Sequence, residues 1–198
     1  MKRIKIIYLI LLTALNVGCQ RGSDSKDFYS ENSDSLKLDL LKKALLDQKE
    51  PPTLPFHNVL ISDFYKIPNF DNQIPINDEW KEVSRIEYLS YHLNEKDTLF
   101  LRRQMNDKTN HLARLSDEGF RIFPTKKHLK DGISLDSIDK IIEQKSGQAD
   151  YIMVGKPIFS KDLNKLYLQI AGPNYGDGYI FTKVKDSIKR FNIENWME

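Results

Sequence analysis

Apolar residues are spaced in three different ways along the chain, and each spacing predicts a different kind of structure. Residues 6–15 form an almost continuous apolar run. Between residues 36 and 145, apolar positions recur at helical spacing or in short mixed runs, with five prolines over residues 51–75. From residue 151 onward, apolar and polar residues alternate, which is the period of a half-buried β-strand.

The alternating region predicts a meander of three or four antiparallel strands. Polar or glycine-rich sequences recur roughly every ten residues, as SKDLN, GPNYGDG and KDS, and such residues favour hairpin turns. The hairpin interpretation of GPNYGDG requires positive φ at Gly176 and Gly178. The predicted strands are Tyr151–Phe159, Lys165–Ala171, Tyr179–Val184 and Ile188–Ile193.

Two helices are predicted upstream of the meander. The first has a face made of positions 37, 41, 44, 45 and 48, with Asp34 or Ser35 as N-cap and Pro51–Pro52 as its end. We expect this face to enter the core, and a helical spacer is the alternative. The second covers SLDSIDKIIEQK from Ser134, with Gly147 after its C-terminus. Its inward face would be Leu135, Ile138, Ile141 and Ile142.

The segments between these helices are less clear. Residues 57–65 predict one short strand, and residues 119–128 predict a strand followed by a turn. Residues 78–95 predict either a helix that begins at Asp78, or the start of a helix followed by a strand. Residues 96–107 predict either a helix capped by Asp97 that buries Leu101 and Met105, or a strand over residues 98–101. Together these elements predict an α+β domain in which the meander packs with one or two helices.

The N-terminus predicts export. Three cations, Lys2, Arg3 and Lys5, precede the apolar run, which at about ten residues is half the length of a membrane-spanning helix. This is the anatomy of a secretory signal peptide, and a buried N-terminal helix is the alternative. We therefore expect a signal peptide over residues 1–18, a flexible polar tether over 19–35, and a single domain over 36–198.

Cys19, the one cysteine of the chain, follows the apolar run within the sequence Val17–Gly18–Cys19. This arrangement resembles the lipobox of bacterial lipoproteins, although Asn16 stands where leucine is usual. The resemblance implies cleavage after Gly18 and acylation of Cys19 with chains such as palmitate. Two or more chains give stable anchoring. The alternative is an ordinary signal peptide with an incidental thiol.

These features predict where the protein works and with what. We expect a lipid-anchored protein of the bacterial cell envelope, at the outer membrane on its periplasmic or surface face, with an envelope protein as partner. Loss of the three N-terminal cations would change the formal net charge from +2 to −1. No basic stripe with interleaved aromatic residues marks a nucleic-acid surface, so no nucleic acid is expected as a partner.

The C-terminal segment from Val154 to Ile193 carries a second resemblance. It resembles the end of a group of secreted proteins and lipoproteins of Bacteroidetes-type bacteria. The matching residues are Pro157, Phe159, Ser160, Lys161, Asp162, Gly176, Gly178, Tyr179, Lys183 and Lys185. Asp186–Ser187 replaces the Asn-Gly or Asp-Gly of the last turn, and Phe191 replaces a frequent tryptophan. The resemblance implies a fold and a compartment, and it implies no activity.

The sequence offers little for catalysis. It contains neither H-E-x-x-H nor G-x-S-x-G, and lipid would occupy the one thiol. The four histidines are better explained as surface or half-buried polar residues: His57, His92, His111 and His128. Four acidic residues are better explained as the solvated surface of a helix: Asp131, Asp136, Asp139 and Glu143. Asp177 is better explained as part of a hairpin turn. We therefore expect no catalytic, cofactor or metal site and no enzyme activity.

Two functions remain. The first is a non-catalytic binding or structural role, in which aromatic residues near strand ends could form a contact surface. The candidates for that surface are Tyr151, Tyr167, Tyr175 and Tyr179. The second is an exported hydrolase whose active site is assembled from residues distant in the sequence.

Overall fold

The computed structural model describes the residues 31–46, 60–62, 72–107, 111–123, 125, 128, 131–134, 137, 140–142, 144, 151–171 and 175–197. The chain divides into two compact units, Met1–Ser35 and Leu36–Glu198, and every strand in the described ranges belongs to the second unit. The predicted signal peptide, Cys19 and residues 20–30 lie outside the described residues.

The fold contains helices and one large sheet, as the α+β prediction requires. The helices whose bounds lie in the described ranges are α1 (Glu31–Leu46), α2 (Arg85–Leu93), α3 (Thr98–Asn106) and a 3₁₀ helix (Leu112–Glu118). The strands are β1 (Leu60–Ser62), β2 (Gln73–Ile76), β3 (Glu79–Glu82), β4 (Arg121–Phe123), β5 (Tyr151–Val154), β6 (Ile158–Phe159), β7 (Lys165–Ala171), β8 (Tyr175–Val184) and β9 (Ser187–Met197).

Seven strands form the main sheet, in the order β4-β1-β5-β7-β8-β9, and β6 also pairs with β7. The C-terminal strands from β5 onward are antiparallel, which confirms the predicted meander. β1 is parallel to both β4 and β5, a pairing of distant segments that the periodicity did not predict. β2 and β3 form a separate two-stranded sheet.

The main sheet is covered on both faces. On one face, Leu41, Ala44 and Leu45 of α1 pack with Leu166 and Leu168 of β7 in one apolar cluster. Leu40 and Lys37 of α1 are also buried, so the predicted helical face is confirmed at positions 37, 41, 44 and 45. Position 48 and the predicted end at Pro51–Pro52 lie outside the described residues. On the other face, α2 and α3 supply residues of a second cluster, together with Ile74, Ile158, Tyr167 and Ile180. The cap prediction was wrong, because α1 begins at Glu31 and residues 34 and 35 lie within it.

The helix predicted from Ser134 is visible in part. Residues 137, 140–142 and 144 are helical, and the Ser137 amide donates to the Ser134 hydroxyl at 3.3 Å, as expected of an N-cap. Ile142 is buried, and the predicted Leu135, Ile138 and Gly147 lie outside the described residues. The strand predicted within 57–65 is present as β1, and the strand predicted at the start of 119–128 is present as β4.

The order of elements in residues 78–95 differs from both predicted alternatives, because the strand comes first. Asn77 and Asp78 have φ of 52° and 64°, which closes a two-residue turn of type I′ between β2 and β3. α2 then begins at Arg85 with a capping box, in which Ser84 and Glu87 satisfy each other's backbone amides.

In residues 96–107 the helical alternative is confirmed. Asp97 caps α3 by accepting from the Phe100 amide at 2.9 Å, and Leu101 is fully buried. Met105 is 36% exposed, so its predicted burial was wrong. Gln104 is buried instead, because its amide group makes two hydrogen bonds, of 2.8 and 3.0 Å, to the backbone of Phe159 in β6.

Three strand boundaries in the meander were also wrong. The last strand, predicted as Ile188–Ile193, extends over Ser187–Met197 as β9. The run Tyr151–Phe159 is broken into β5 and β6 at residues 155–157. The segment Tyr175–Gly178, predicted as part of a turn, belongs to β8, and neither Gly176 nor Gly178 has positive φ. The need for glycine at position 178 comes from the side chain opposite it, which is that of Glu194.

Candidate functional site

An ion pair between Arg85 and Glu194 lies at the centre of the most concentrated polar arrangement among the described residues. The capping box places Arg85 at the first position of α2. Its Nη1 donates to Glu194 Oε1, and its Nη2 donates to Oε2 at 3.3 Å. The side chain of Glu194 in β9 is only 2% exposed, and that of Arg85 is 22% exposed. A pair this buried is stable only when other donors compensate the lost hydration.

Two side chains from β7 supply those donors. The Tyr167 hydroxyl donates to Glu194 Oε2 at 2.7 Å and accepts from Arg85 Nη2. Gln169 Nε2 donates to the same oxygen at 3.1 Å. Glu194 therefore accepts four hydrogen bonds from three side chains. We call Asn72, Arg85, Tyr167, Gln169 and Glu194 the Arg85–Glu194 cluster.

Small residues leave room for the cluster. Gly178 pairs with Glu194 across β8 and β9, next to a β-bulge. A Cβ at position 178 would lie 2.8 Å from Glu194 Cδ and closer still to Oε2, which is nearer than real Cβ atoms approach. Gly155 lies similarly close to Gln169, where a Cβ would be 3.2 Å from Oε1. Gln169 Oε1 is buried, has no hydrogen-bond partner among the described residues, and faces this backbone.

The surroundings of the cluster shift the pKa values of its neighbours. Desolvation and the negative charge of Glu194 raise the pKa of Tyr167 far above its usual range. The same two causes raise the pKa of Tyr88 to about 12, and its hydroxyl donates to the Ile193 carbonyl at 2.7 Å. Desolvation lowers the pKa of His92, whose ring lies 4.4 Å from that of Tyr88. Near neutral pH both tyrosines are therefore neutral hydrogen-bond donors.

The cluster also holds the β2–β3 hairpin. Arg85 Nη1 donates to Asn72 Oδ1 at 2.9 Å, and the Val83 amide donates to the Asn72 carbonyl at 2.8 Å. Asn72 immediately precedes β2, so these bonds fix the base of the hairpin. We call residues Gln73–Glu82 the ribbon.

The ribbon is exposed except at Ile74. Trp80 in β3 is 71% exposed, more than any other large apolar residue among those described. It pairs directly with Pro75 in β2, so the two side chains share one face. Asp78, Glu79 and Glu82 carry negative charge on the ribbon, against one lysine, Lys81. The ribbon thus combines an exposed indole with acidic flanks.

A depression of about 380 Å³ opens between the end of α2 and the start of β7. Several of its polar groups are engaged within the fold. The Glu95 carboxylate accepts from the amides of Asp97 and Lys161, both at 2.9 Å, and Lys165 Nζ donates to the His92 carbonyl at 3.1 Å. The lining residues are Leu93, Asn94, Glu95, Ser160, Lys161, Asp162, Asn164, Lys165 and Thr182.

The structure separates the residues that the sequence singled out. His92, His111 and His128 are half-buried, as expected, and the rings of His111 and His128 lie 6.0 and 4.9 Å from those of Phe159 and Phe123. His57 and the acidic residues 136, 139 and 143 lie outside the described residues, and Asp131 is exposed. Within the described ranges, no group of three or more His, Cys, Asp or Glu is arranged to hold a metal ion.

The tyrosine surface is not formed as expected. Tyr167 is only 2% exposed and belongs to the Arg85–Glu194 cluster, so its assignment to a contact surface was wrong. Tyr179 is half-buried, with its hydroxyl 2.9 Å from Asp177 and the Arg190 guanidinium 4.9 Å from its ring. Asp177 also accepts from Asn192 at 2.9 Å and so stabilises the sheet. The side chains of Tyr151 and Tyr175 lie outside the described residues.

Sequence reasoning missed Arg85, Glu194 and Trp80 as a connected arrangement. Arg85 and Glu194 are 109 positions apart, and no spacing rule links them. Two local signals were available: S-R-I-E at residues 84–87, which has the form of a capping box, and Asn77–Asp78, which favours a tight turn. Together they would have placed Arg85 at a helix start and Trp80 on a hairpin.

Comparison with known proteins yields no match to a family model, to a curated protein or to a solved structure. None of the helices in the described part of the chain is long and apolar enough to cross a membrane. Function is therefore inferred from the geometry and the sequence of this chain alone.

Proposed function

We propose that this protein is a lipid-anchored component of the bacterial cell envelope whose domain binds a protein partner through the ribbon, without catalysis. The exposure of Trp80 is the observation that carries the binding role. An indole is among the side chains that contribute most to protein interfaces, and a large aromatic side chain buries roughly 150–250 Å² when it is covered. Here the fold leaves most of that area in solvent.

The ribbon is held in a fixed position on the domain, which favours binding. Its base is fixed by Arg85 and Val83, and Ile74 packs with Tyr88 and Leu89. A contact element held in place loses less conformational entropy when a partner binds, which favours affinity. The acidic flanks favour a partner that surrounds an apolar pocket with basic groups.

The Arg85–Glu194 cluster supports binding over hydrolysis. A hydrolase with a carboxylate acid or base needs that carboxylate within reach of a substrate proton. The side chain of Glu194 is 2% exposed, and four hydrogen bonds already occupy its oxygens. Its geometry suits a structural link among β7, β9, α2 and the ribbon.

The proposed anchor depends on Cys19 and its lipobox-like context. Cys19→Ala removes the thiol that would carry lipid, and we expect the protein to leave the membrane fraction and to lose incorporation of a palmitate analogue. Retention of both properties in the variant would refute the anchor.

The binding role is tested by cross-linking the lipidated protein in its native envelope and recovering the products. We expect a stoichiometric protein partner with the wild type and a loss of at least about tenfold with Trp80→Ala, a size typical of a central aromatic contact. Phe191→Ala is the matched control, because Phe191 is an exposed aromatic residue (55%) on β9. Equal recovery from wild type and Trp80→Ala, or equal loss from both variants, would contradict the proposal.

A further inference from the structure

The turn between β8 and β9 carries three exposed lysines. Lys183, Lys185 and Lys189 lie within seven residues. The two-residue loop of the turn connects the paired residues Val184 and Ser187. Lys183 pairs with Ile188, and Lys189 pairs with Thr182, so the two lysines point to opposite faces and Lys185 lies at the end. We call Lys183–Lys189 the basic tip.

The basic tip lies beside the point where the chain enters the compact unit. A small cavity of about 100 Å³ is lined jointly by Leu36, Asp39 and Lys43 of α1 and by Lys183 and Lys185 of the tip. Leu36 is the first residue of the unit, and the proposed anchor at Cys19 precedes it in the chain. The start of the unit and the basic tip are therefore at the same end of the domain.

Carboxylates near the tip are largely engaged by other groups. Asp39 pairs with Lys43 at 2.8 Å, and Asp162 accepts from Ser160 at 2.7 Å and from Asn164 at 2.8 and 3.1 Å. Among the described residues, no ion pair involves any of the three tip lysines. Asp186 is the one acidic residue of the tip itself. The tip thus presents a local excess of positive charge.

Apolar side chains accompany these lysines. Val184 is 37% exposed within the tip, and Leu36 is 54% exposed beside it. Lys185 has a φ of 56°, a conformation in which glycine or asparagine would be less strained. The chain therefore keeps a cation at the end of the hairpin at a cost to local conformation, and strain of this kind is common at contact sites.

We propose that the basic tip binds anionic lipid headgroups of the membrane that holds the anchor. This role rests on the proposed function, because it requires the lipid anchor at Cys19. Each lysine near an anionic surface strengthens binding by a factor of about five, so three together give a factor of about a hundred. The anchor adds to this effect, because it holds the tip at a high effective concentration of headgroups.

The ribbon and the tip have opposite charge and separate positions. Gly178, which pairs with Glu194 beside the base of the ribbon, is six residues along β8 from Val184. At a strand rise of ~3.3 Å per residue this is about 20 Å. The basic tip and the base of the ribbon are therefore separated along β8.

The test uses the lipidated full-length protein with one cysteine introduced for a polarity-sensitive fluorophore. Lipid occupies Cys19, so the introduced thiol is the one that reacts. Ser187→Cys places the label in the tip, and Ser116→Cys is the matched control. Both serines are exposed and donate to the carbonyl three residues earlier, at 3.0 and 2.8 Å. Ser116 lies in the 3₁₀ helix that precedes β4, at the opposite edge of the sheet from β9.

The labelled protein is bound to phosphatidylcholine vesicles with and without phosphatidylglycerol. We expect the label at position 187 to report a less polar environment only when phosphatidylglycerol is present, with no change at position 116. The shift should vanish when Lys183, Lys185 and Lys189 are all changed to Gln, remain when they are changed to Arg, and weaken in high salt.

Two outcomes overturn the inference: a label at position 187 that is insensitive to phosphatidylglycerol, or a triple Gln variant that behaves like the wild type. Flotation with neutral vesicles separates this result from the anchor. Protein that floats with neutral vesicles but shows no lipid-dependent shift has its anchor and lacks the tip contact. Protein that floats only with anionic vesicles, and not as the Gln variant, has the tip contact and lacks the anchor.

Discussion

Arg85 and Glu194, 109 positions apart in the sequence, form a two-point ion pair between the first turn of α2 and strand β9. Tyr167 lies between them as both acceptor and donor, and Asn72 extends the same network to the ribbon. The pair therefore joins the main sheet to the hairpin that carries Trp80. The stability of the fold should reflect this connection.

Removal of the carboxylate at position 194 should be costly. Glu194→Ala leaves the Arg85 guanidinium without its partner in a mostly buried position, and such changes destabilise proteins by about 3–5 kcal/mol. We expect about 3 kcal/mol, because Arg85 keeps some access to water, as measured by urea unfolding. Glu82→Ala, on the exposed ribbon, is the control and should change stability by less than about 0.5 kcal/mol. Similar losses in both variants would contradict the role assigned to the pair.

The loss of stability caused by a side chain at position 178 should depend on the presence of Glu194. Gly178→Ala introduces a methyl group that overlaps the Glu194 carboxylate, and we expect a loss of about 2 kcal/mol in the free energy of unfolding. In a Glu194→Ala background the same substitution should cost at least about 1 kcal/mol less, because neighbouring sites are not additive. Gly132→Ala, at a φ of 80° with open space around it, should cost the same in either background. If the effects of Gly178→Ala and Glu194→Ala on the free energy of unfolding are strictly additive, the predicted overlap between the two positions is wrong.

Acid should destabilise the fold through His92. Its native pKa is lowered from the ordinary value of 6.5, chiefly by desolvation, so the unfolded chain binds the proton more tightly. This contribution to stability is therefore present above about pH 6.5 and is lost as the pH falls through the lowered native value. In His92→Gln the free energy of unfolding should depend less on pH between about 5 and 8. An NMR titration in which native His92 titrates at or above 6.5 would contradict the assignment.

A substitution in the turn of the basic tip should raise the stability of the protein. Lys185 has a φ of 56°, so Lys185→Gly removes a side-chain clash and should raise stability by about 0.5–1 kcal/mol in thermal unfolding. Asp186 does not have positive φ, and Asp186→Gly should instead lower stability by about 0.5–1 kcal/mol. If both substitutions destabilise equally, the strain at Lys185 is absent. Lys185→Gly also removes a tip cation, so its gain in stability should accompany weaker binding to anionic vesicles.

Local sequence determined most of the elements. The spacing of Leu41, Ala44 and Leu45 identified the buried face of α1, and Asp97 indicated the start of α3 in one of the two alternatives for that segment. Alternation identified β7 and most of β8 and β9. Caps and periodicity act between residues a few positions apart, so a linear sequence displays them directly.

The sequence was misleading where distant segments compete for the same position. Met105 was expected inside, but Gln104 occupies that side of α3 because the backbone of β6 offers it two hydrogen bonds. Tyr167 was expected at the surface, but α2 covers that face of β7. The buried tyrosine hydroxyl donates to Glu194 instead. Burial of β7 on both faces cannot be read from a pattern that marks one face as polar.

What the sequence by itself determined is the class of fold and the residues that suggest an anchor, because both depend on short runs of neighbouring residues. Only the tertiary structure decided which distant residues meet. Glu194 pairs with Arg85 and also lies against the glycine at position 178, and α1 lies beside the basic tip. Those partnerships depend on which strands and helices pack together, a result of burial over the whole domain that no short window of sequence contains.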